Sequence, residues 1–459
     1  MNRPGFNERL KRALTGDRSA PLVFLGNFEV EEQWARGESG LPRVTSRVNT
    51  AVVNRMDEFA LLLGAADDHV VLKTEPDPAY LRYLTDLGVE LPTVHVIGEQ
   101  DPGNTVTEDA LADGRLLGVL ADLGAAGALM LPHGVSGAEE ELSEKTGLAL
   151  AAPPAALCKS VNSKVYSRRV ADALGLRQPR GWACSTLAEF AAAVDAATEI
   201  LAAGAVVLVK EAFGVSGKGI STIESPDRLR RLHRMVVSRA ERAGTDRVAF
   251  VIEERVDKRA DLNYQFTVSR EREVHIDFVK EALTRNGVHM GHRFPPDLSP
   301  AQVDEIHTTA RLLGEQLSAD GYAGVVGVDA MLDPSGGVYP VIEINARNNM
   351  STYQVRLQEQ LMRDGQFALA RHYPLTLHEP LAYQTAARLL DDVLLTSPGG
   401  AGLVINNFAT VNAGRGAEGP FPGRLYGMLI GDSPEELTAL DTAVTDVLAA
   451  GLGRESGDR

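Results

Sequence analysis

Short apolar runs alternate with amphipathic stretches along the first 155 residues of the chain. The apolar runs, bounded by turn-forming residues, predict β-strands at Pro21–Gly26, His69–Lys73, Thr93–Ile97 and Gly127–Leu131. Apolar positions at helical spacing predict helices near Phe6–Leu14, Asn54–Leu63, Pro78–Leu87 and Thr107–Leu120. Strands that alternate with helices are typical of an α/β domain with a parallel sheet, so we predict such a domain over residues 1–155.

The pattern changes after Ala151–Ala155, a stretch of alanine and proline that indicates a linker. The helices predicted beyond it are Thr186–Ala203, Ser225–Ala243, Pro300–Leu317, Tyr353–Arg371, Leu381–Leu395 and Ser433–Leu448. The strands predicted there are Ala205–Lys210, Val248–Ile252, Asn263–Val268, Val274–Leu283, Gly402–Asn406 and Arg424–Ile430. Strands now often follow one another directly, which favours antiparallel pairing in this part of the chain.

A predicted hairpin over Gly321–Tyr353 carries the chemistry around which the rest of the chain can be arranged. Its first apolar run holds a single acid, Asp329, and a turn follows at Asp333–Gly337. The second run carries Glu343 and leads to Asn345. Two antiparallel strands would bring these three side chains together at one end. Oxygen donors grouped in this way suit Mg²⁺, which takes few protein ligands and leaves positions for water and substrate phosphates.

Arg347 follows this group and adds a fixed guanidinium fork beside the acids. The alternative is an ordinary hairpin whose acids are solvated. Two features favour a site. The acids lie inside apolar runs, where an unpaired carboxylate is costly to bury. The cluster also falls where the strand ends, a usual place for functional side chains.

Two lysines precede the hairpin at positions suited to an anionic ligand. Lys164 lies in the first turn of a helix predicted to run to about Gly175, where a cation is unfavourable against the helix dipole. It either lies on the surface or faces an anion. Lys210 ends the strand that begins at Ala205.

A loop of small residues, Phe213–Gly219, follows that strand, and its backbone N–H groups together with Lys218 could close around phosphate oxygens. It is not a P-loop, because Ala212 replaces the first required glycine and Gly219 replaces the Ser or Thr. The loop joins two predicted strands, which favours a lid over a nucleotide. The alternative is a glycine-rich turn without a ligand.

Other segments offer candidates of different kinds. The strand ending at Ile252 leads into Glu253 and Glu254. Arg293, in a proline-rich stretch before a helix, is a candidate for touching substrate. His133–Gly137 follows the fourth strand and either faces a ligand or forms a simple turn. No G-x-G-x-x-G follows the first strand, so we predict no dinucleotide site there.

Charge and cysteine content exclude several classes of function. The chain has 46 basic and 62 acidic residues and a net charge of −16, which argues against a general binder of nucleic acid or anionic membranes. Cys158 and Cys184 are too few for a disulfide framework or a zinc site. The charged N-terminus lacks a signal-peptide core, and the longest apolar run, Leu201–Val209, is too short for a membrane span. We expect a cytoplasmic protein with no nucleic-acid or membrane partner.

Taken in order, the lysines, the small-residue loop, the strand-end acids and the hairpin cluster resemble the ATP-grasp superfamily of carboxylate–amine and carboxylate–thiol ligases. The resemblance covers roughly residues 156–355, and the preceding α/β unit looks like the pre-ATP-grasp domain. The implied fold class is α/β, with an α+β ATP-binding part. It comprises a Rossmann-like pre-ATP-grasp domain at 1–155, a central and lid subdomain at 156–250, and a C-terminal subdomain at 251–459 with the metal site and an extension.

The resemblance also implies roles for individual residues. The nucleotide-binding residues would be Lys164, Lys210, Gly214, Ser216, Gly217, Lys218, Gly219, Glu253, Glu254, Val256 and Asp261. Among them, Glu253 and the backbone of Val256 would read adenine, and Asp261 would contact ribose. Two Mg²⁺ ions, with Mn²⁺ as an alternative, would be held by Asp329, Glu343 and Asn345. The catalytic residues would be Arg347, Lys218 and Arg293.

The activity implied is that of an ATP-dependent ligase. It would activate an amino-acid carboxylate as an acyl phosphate, join it to the amine of a peptide or amino acid, and release ADP and phosphate. Within the superfamily the chain looks most like the peptide ligases of the pheganomycin type, which act in peptide antibiotic biosynthesis. The signs are Val23–Glu29, Asn345–Ser351 and the long C-terminal region. Gly327 departs from dipeptide-forming relatives, many of which carry arginine there, and puts the amino-acid substrate in doubt.

Two other functions compete with this one. The first is a carboxylase-like or carboxylate-kinase enzyme acting on another acceptor, which amine-dependent phosphate release would distinguish. The second is a non-catalytic nucleotide-binding regulator, which the complete set of metal-ligand and phosphate-binding candidates disfavours. A homodimer is expected only because that state is common among soluble enzymes.

Overall fold

The computed structural model describes residues 4–38, 47–214, 219–285, 288–415 and 419–452. Its N-terminal domain is a parallel sheet of four strands in the order β3-β2-β1-β4, as the alternating pattern predicts. The strands are β1 Leu22–Leu25, β2 His69–Leu72, β3 Thr93–Val96 and β4 Leu129–Pro132. Helices around them are α1 Phe6–Thr15, α2 Val30–Trp34, α3 Arg47–Asn54, α4 Pro78–Asp86, α5 Val106–Ala112, α6 Gly114–Ala125 and α7 Gly137–Thr146, with a 3₁₀ helix at Met56–Leu62.

Two predicted helices of this domain differ from the observed ones. The helix predicted over Thr107–Leu120 is two helices, because Asp113 adopts an extended conformation and its side chain accepts from Leu116 N at 3.0 Å as the N-cap of α6. The helix predicted over Asn54–Leu63 is a 3₁₀ helix preceded by a separate α-helix. Apolar periodicity alone cannot distinguish these local breaks from one continuous helix.

The middle of the chain forms an antiparallel sheet in the order β5-β8-β6-β7. Its strands are β5 Gly181–Thr186, β6 Val207–Glu211, β7 Ile220–Ile223 and β8 Arg247–Glu254. The helices of this region are α8 Ala155–Val161, α9 Lys164–Ala173, α10 Leu187–Ala202 and α11 Pro226–Arg242. The small-residue loop joins the antiparallel strands β6 and β7, as predicted.

The rest of the chain builds an eight-stranded antiparallel sheet in the order β13-β12-β9-β10-β11-β14-β16-β15. The strands are β9 Ala260–Val268, β10 Val274–Arg285, β11 Val288–Phe294, β12 Gly324–Leu332, β13 Val338–Asn345, β14 Phe367–Leu377, β15 Gly402–Asn407 and β16 Phe421–Gly431. The helices are α12 Pro300–Ala319, α13 Thr352–Leu361, α14 Tyr383–Leu389 and α15 Pro434–Leu452. Strands β14, β16 and β15 therefore extend the sheet beyond the strands of the predicted hairpin and its neighbours.

The helix predicted over Tyr353–Arg371 is wrong in its second half. Helix α13 ends at Leu361, Gly365 adopts a φ of 85°, and the chain enters β14. Strand β14 is paired along its length with β16 and, over its first residues, with β11. The helix predicted over Leu381–Leu395 is likewise limited to α14.

One hydrophobic core joins the N-terminal domain to the C-terminal strands. It contains Phe59 and Tyr80 from the first and Val404 and Met428 from the second. The carboxylate of Glu58 adds polar contacts, because it accepts from the backbone N of Phe408 and Ala409. The shared core holds the loops after β1 and β4 against the large sheet. No helix among the described residues is both long and apolar enough to cross a membrane.

Candidate active site

One row of polar side chains crosses four neighbouring strands of the large sheet. Glu343 on β13 lies opposite Asp329 on β12, and Asp329 lies opposite Asn263 on β9. Asn263 in turn lies opposite Lys280 on β10. Residues directly opposite one another share a face of a sheet, so all four side chains project to the same side. The predicted pairing of Asp329 with Glu343 is confirmed.

Asp329 is held between two amides and faces a second acid. Asn263 Nδ2 donates to Asp329 Oδ1 at 3.0 Å, and Asn345 Nδ2 donates to Oδ2 at 3.3 Å. Burial, followed by repulsion from Glu343, raises the pKa of Asp329 to about 6. The carboxylate is therefore mostly ionised at neutral pH, but burial and repulsion destabilise its ionised form. A bound cation would reduce that destabilisation.

The donor set fits a divalent cation that is shared with a substrate. The described residues contain no group of three or more His, Cys, Asp or Glu side chains that could hold a metal by themselves. Asp329 and Glu343 supply carboxylate oxygens, and Asn345 supplies an amide oxygen. Mg²⁺ is commonly bound by one or two carboxylates with substrate phosphates completing the coordination. These residues therefore match Mg²⁺ bound jointly with a nucleotide.

Lys164 connects three elements at the edge of this row. Its Nζ lies 2.5 Å from Glu343 Oε1 and donates to Gly214 O at 3.0 Å. Its backbone N donates to Ala212 O at 3.0 Å. The side chain begins at the start of α9, where Ser163 Oγ accepts from Val165 N at 3.2 Å. Of the two alternatives for Lys164, a surface position is excluded, because the residue is only 6% exposed.

Lys210 and Glu253 form a buried ion pair on the second sheet. Lys210 lies opposite Val251 across the β6–β8 pairing, so Glu253, two residues further along, shares its face. Glu254 ends the same strand, where its backbone N donates to Arg180 O at 2.8 Å. The structure thus places Lys210, which was predicted to bind phosphate, in contact with Glu253, which was predicted to bind adenine.

The small-residue loop is described only at its two ends. Ser216, Gly217 and Lys218 lie outside the described residues. At the far end, Glu211 N donates to Gly219 O at 2.8 Å, and Gly219 has a φ of 82°. Side chains of L-residues rarely adopt this φ, so the backbone conformation favours glycine here; a Cβ would also lie 2.5 Å from a carboxylate oxygen of Glu211.

Arg347 faces the N-terminal domain. Its guanidinium forms an ion pair with Glu31 of α2, and both side chains are about one-tenth exposed. Nη2 also donates to Asn345 Oδ1 at 3.1 Å, and Nη1 donates to Asn348 O at 2.9 Å. The arginine therefore lies against a metal-ligand candidate while its charge is balanced by an acid from another domain.

The segment His133–Gly137 is a contact between domains. The ring of His133 stacks on Phe28 with centroids 4.2 Å apart, and its Nδ1 lies 2.7 Å from Tyr353 Oη. Asn348 N donates to His133 O at 3.2 Å. Burial, with the nearby Arg347 charge, lowers the pKa of His133 well below its usual value. The imidazole is therefore neutral and contributes to packing next to the site.

The structure does not bring Arg293 to the polar row. Arg293 lies opposite Glu281, the neighbour of Lys280, and therefore on the other face of the sheet, with 3.5 Å between its Nη1 and a Glu281 carboxylate oxygen. Asp261 does share the face of the row, two residues before Asn263, and accepts from Lys258 and Thr284 at 2.5 Å. Val256 lies beyond the end of β8.

Three residues of this region were not singled out from the sequence. Asn263 and Lys280 lie in predicted strands, and a polar residue at a buried strand position was the available signal. Lys280 is fully buried; its Nζ donates to Ser351 O at 3.3 Å and Gln354 Oε1 at 3.1 Å, and burial lowers its pKa to about 7. Glu31 gave no local signal, because its partner lies 316 residues away.

Comparisons with known proteins agree with this architecture. Residues 56–148 match the family model of the pre ATP-grasp domain. Residues 163–353 match the ATP-binding domain of the carbamoyl-phosphate synthase L chain. The second range contains the polar row, Lys164, Lys210 and Arg347.

Relatives of known structure or function share the same arrangement. A [butirosin acyl-carrier protein]–L-glutamate ligase from Niallia circulans is 27% identical over 344 residues, which are 74% of this chain and 75% of the relative. An N5-carboxyaminoimidazole synthase from Aspergillus clavatus has a TM-score of 0.51 at 14% identity and covers 94% of this chain and 99% of its own. A biotin carboxylase from Campylobacter jejuni has a TM-score of 0.55 at 14% identity, with 95% of each chain covered.

The chain belongs to the ATP-grasp superfamily, with a pre-ATP-grasp domain followed by an ATP-grasp domain. The prediction of an ATP-grasp enzyme of the ligase type agrees with the matched ATP-binding domain and with the name of the curated relative. The predicted fold class is confirmed. The narrower likeness to pheganomycin-type peptide ligases, the three domain boundaries and the roles of individual residues remain predictions.

Proposed function

We propose that this enzyme activates the carboxylate of an amino acid as an acyl phosphate and joins it to the amine of a peptide or amino acid, releasing ADP and phosphate. The observation that supports this most strongly is that Lys164 contacts Glu343, which lies beside Asp329 in the row. Lys164, a candidate for binding phosphate, thus touches Glu343, a candidate metal ligand. Arg347 follows Glu343 by four residues in the sequence. A role in peptide antibiotic biosynthesis is part of the proposal.

The nucleotide would lie between the second sheet and the row. Lys164 and Lys210 would hold its phosphates, exchanging their present acid partners for phosphate oxygens of higher charge. Glu253, Glu254 and Val256 would face the adenine, and Asp261 the ribose. The loop from Gly214 to Gly219, including Ser216, Gly217 and Lys218, would close over the γ-phosphate.

Asp329, Glu343 and Asn345 would hold two Mg²⁺ ions, with Mn²⁺ as an alternative. When bound, such ions neutralise charge on the phosphate oxygens and orient the γ-phosphate. The elevated pKa of Asp329 supports this assignment, because a carboxylate placed against another acid gains from a cation between them. Asn263 would keep Asp329 oriented through the hydrogen bond to Oδ1.

The reaction then needs no side-chain nucleophile. An oxygen of the donor carboxylate attacks the γ-phosphorus, the bond to the bridging oxygen breaks, and ADP leaves. The acceptor amine attacks the carbonyl carbon of the acyl phosphate, loses a proton, and displaces phosphate. Arg347 would stabilise the negative charge of the oxygens in both steps. Closure of the loop would exclude water, which otherwise hydrolyses the acyl phosphate.

A second acceptor is favoured by one comparison. The curated relative is named for joining L-glutamate to an acyl-carrier protein, so an acyl-carrier protein is the second candidate acceptor here. The same relative supports an amino acid as the donor and makes L-glutamate the first to test. A homodimer remains part of the proposal only as a common state of such enzymes.

The test is ADP release from Mg²⁺-ATP across a panel of amino acids, each alone and mixed with short peptides or an acyl-carrier protein, with mass spectrometry of the products. The proposal predicts ADP that depends on donor and acceptor together, and a product whose mass is their sum less water. ADP release that needs bicarbonate and no amino acid would instead establish a carboxylase. ATP binding without turnover on any pair would contradict the ligase.

A further inference from the structure

Glu31 is the residue of the N-terminal domain that touches the catalytic candidate Arg347. It is itself only 9% exposed. The ion pair uses Oε1 of the carboxylate. An ionised carboxylate can accept about four hydrogen bonds. Glu31 therefore retains acceptor capacity directly beside the arginine.

The helix that carries Glu31 is firmly anchored. Val30 and Trp34 of α2 are buried, and Trp34 Nε1 donates to Val135 O at 2.8 Å. Gly134 permits this close approach, because a Cβ there would lie 2.9 Å from Val30 Cγ1. The backbone that carries Glu31 is thus fixed by the packing of its helix, as preorganisation of a binding group requires.

The position of this helix in the fold is one at which α/β domains bind ligands. Strand β1 has β2 on one side and β4 on the other, so the sheet order reverses between β1 and β4. In open parallel sheets, ligands bind outside the carboxyl ends of the strands at that point. Here the loop after β4 contacts Asn348, next to Arg347, through His133 O. The carboxyl ends of β1 and β4, where such a ligand would bind, therefore lie near Arg347 and the end of the polar row.

We propose that Glu31 binds the ammonium group of an α-amino-acid donor and so determines which carboxylates are activated. The donor carboxylate would replace Glu31 Oε1 at the Arg347 guanidinium, and the ammonium beside it would face the carboxylate of Glu31. After this exchange the donor carboxylate is paired with Arg347, and the donor ammonium is paired with Glu31. Such pairing matters because the site already holds two further acids, Asp329 and Glu343. An acid without the amino group would leave Glu31 buried without a cation, which is strongly unfavourable. This inference rests on the proposed function and specifies its donor.

The experiment compares an amino acid with the same acid lacking its amino group, for the full-length enzyme. Hydroxylamine serves as the acceptor, so that acyl phosphate is trapped as hydroxamate whatever the natural amine is. The first pair is L-glutamate and glutarate, followed by other amino acids of the panel and their deamino forms. We expect the wild-type enzyme to prefer the amino acid by at least about 100-fold in kcat/KM.

Three variants test whether the preference for the amino acid depends on the carboxylate of Glu31. Glu31→Gln should lower kcat/KM for the amino acid about 100-fold and that for the deamino acid less than about 3-fold, so that the preference disappears. Glu31→Asp keeps the charge and should retain a preference of at least about 10-fold. Glu32→Gln, at an exposed acid of the same helix, should behave as wild type.

Two outcomes would overturn the inference. If Glu31→Gln lowers kcat/KM equally for the amino acid and the deamino acid, Glu31 only positions Arg347. If hydroxamate forms and the wild-type enzyme shows no preference for the amino acid, the ammonium is not recognised. If none of the acids tested gives hydroxamate, the proposed function is overturned as well. The failure of the inference and the failure of the proposed function are therefore distinguishable.

Discussion

Lys73 in the N-terminal domain and Lys164 in the ATP-grasp domain are both buried, but their partners differ in number and origin. Lys73 Nζ contacts Asp109 Oδ2 at 2.9 Å, Asp101 O at 2.8 Å and Asn104 O at 2.7 Å. All three partners lie in one short stretch of the chain. Among the residues that the structure describes, Lys164 Nζ contacts a carboxylate of the large sheet and a carbonyl at the start of the small-residue loop.

The difference separates cations that hold the fold from cations that can exchange their partners. An ammonium has three N–H donors, and those of Lys73 are all used within one domain. Three described cations of the candidate site are each paired with an acid from another element: Lys164 with Glu343, Lys210 with Glu253, and Arg347 with Glu31. Phosphate and carboxylate groups of the substrates can take the place of these acids. Mutations in the two regions should therefore affect different quantities.

Glu343→Ala should give the largest effect, on turnover. Loss of a metal-ligand candidate at the centre of the row should lower kcat by at least about a thousandfold at any ATP concentration, equivalent to about 4 kcal/mol. Stability should fall less than in Lys73→Met, because Glu343 is partly exposed and its removal, although it leaves Lys164 without this acid, also relieves the repulsion on Asp329. ADP release and urea unfolding measure the two quantities. Asp297→Ala, at an exposed acid of the same domain, is the control, and a near-normal rate in Glu343→Ala would remove the metal assignment.

Lys73→Met should give the converse result. It leaves Asp109 buried without its cation and should reduce the free energy of unfolding by about 3 kcal/mol. Below its unfolding transition the variant should keep kcat within about twofold of wild type. Lys145→Met breaks an exposed pair with Glu141 and should cost less than about 0.5 kcal/mol. A Lys73 variant that folds normally and loses turnover would contradict the distinction drawn here.

Glu58→Gln should stabilise the protein in a pH-dependent manner. Burial raises the pKa of Glu58 to about 7, so wild-type stability falls as the pH rises from about 4.5 to about 7 and stays lower above that range. Glutamine can keep both backbone hydrogen bonds, since both are made to one oxygen. The variant should be about 3 kcal/mol more stable at pH 8 and equal to wild type near pH 4.5. If urea unfolding gives the same stability difference between the variant and the wild type at both pH values, ionisation of Glu58 is not its cause.

Asp261→Asn should give the smallest effect. Asp261 lies on the face of the row but is already bound by Lys258 and Thr284. If it contacts ribose, the substitution should raise the KM for ATP about fivefold, near 1 kcal/mol, with kcat unchanged. Asp257→Asn, at an exposed acid nearby, is the control. An unchanged KM would remove Asp261 from the nucleotide site.

The elements predicted best from the sequence are those whose partners are close along the chain. Asp329 and Glu343 lie on strands joined by a short turn, so alternation and turn residues were enough to place them together. Residues 367–371, the first part of strand β14, were predicted as the end of a helix, because the residues before them are good helix formers. They form a strand because β11 and β16 pair with them, and β16 begins more than 40 residues later.

The pairing of Arg347 with Glu31 shows the same limit within the site. Both residues could be read as ordinary surface charges, and nothing local indicates that they meet. They meet because the shared core fixes the N-terminal domain against the large sheet. A candidate chosen from its surroundings in the sequence need not lie near the site either, as the position of Arg293 on the opposite face of the sheet demonstrates.

The most direct test of the account is the fate of oxygen in the donor carboxylate. The donor found in the ADP-release panel, labelled with ¹⁸O in its carboxylate, is allowed to react with Mg²⁺-ATP and the acceptor, and the released phosphate is analysed by mass spectrometry. An acyl phosphate requires one ¹⁸O atom to appear in inorganic phosphate for each product molecule formed. Phosphate without ¹⁸O, or label recovered in AMP, would contradict carboxylate activation by the γ-phosphate.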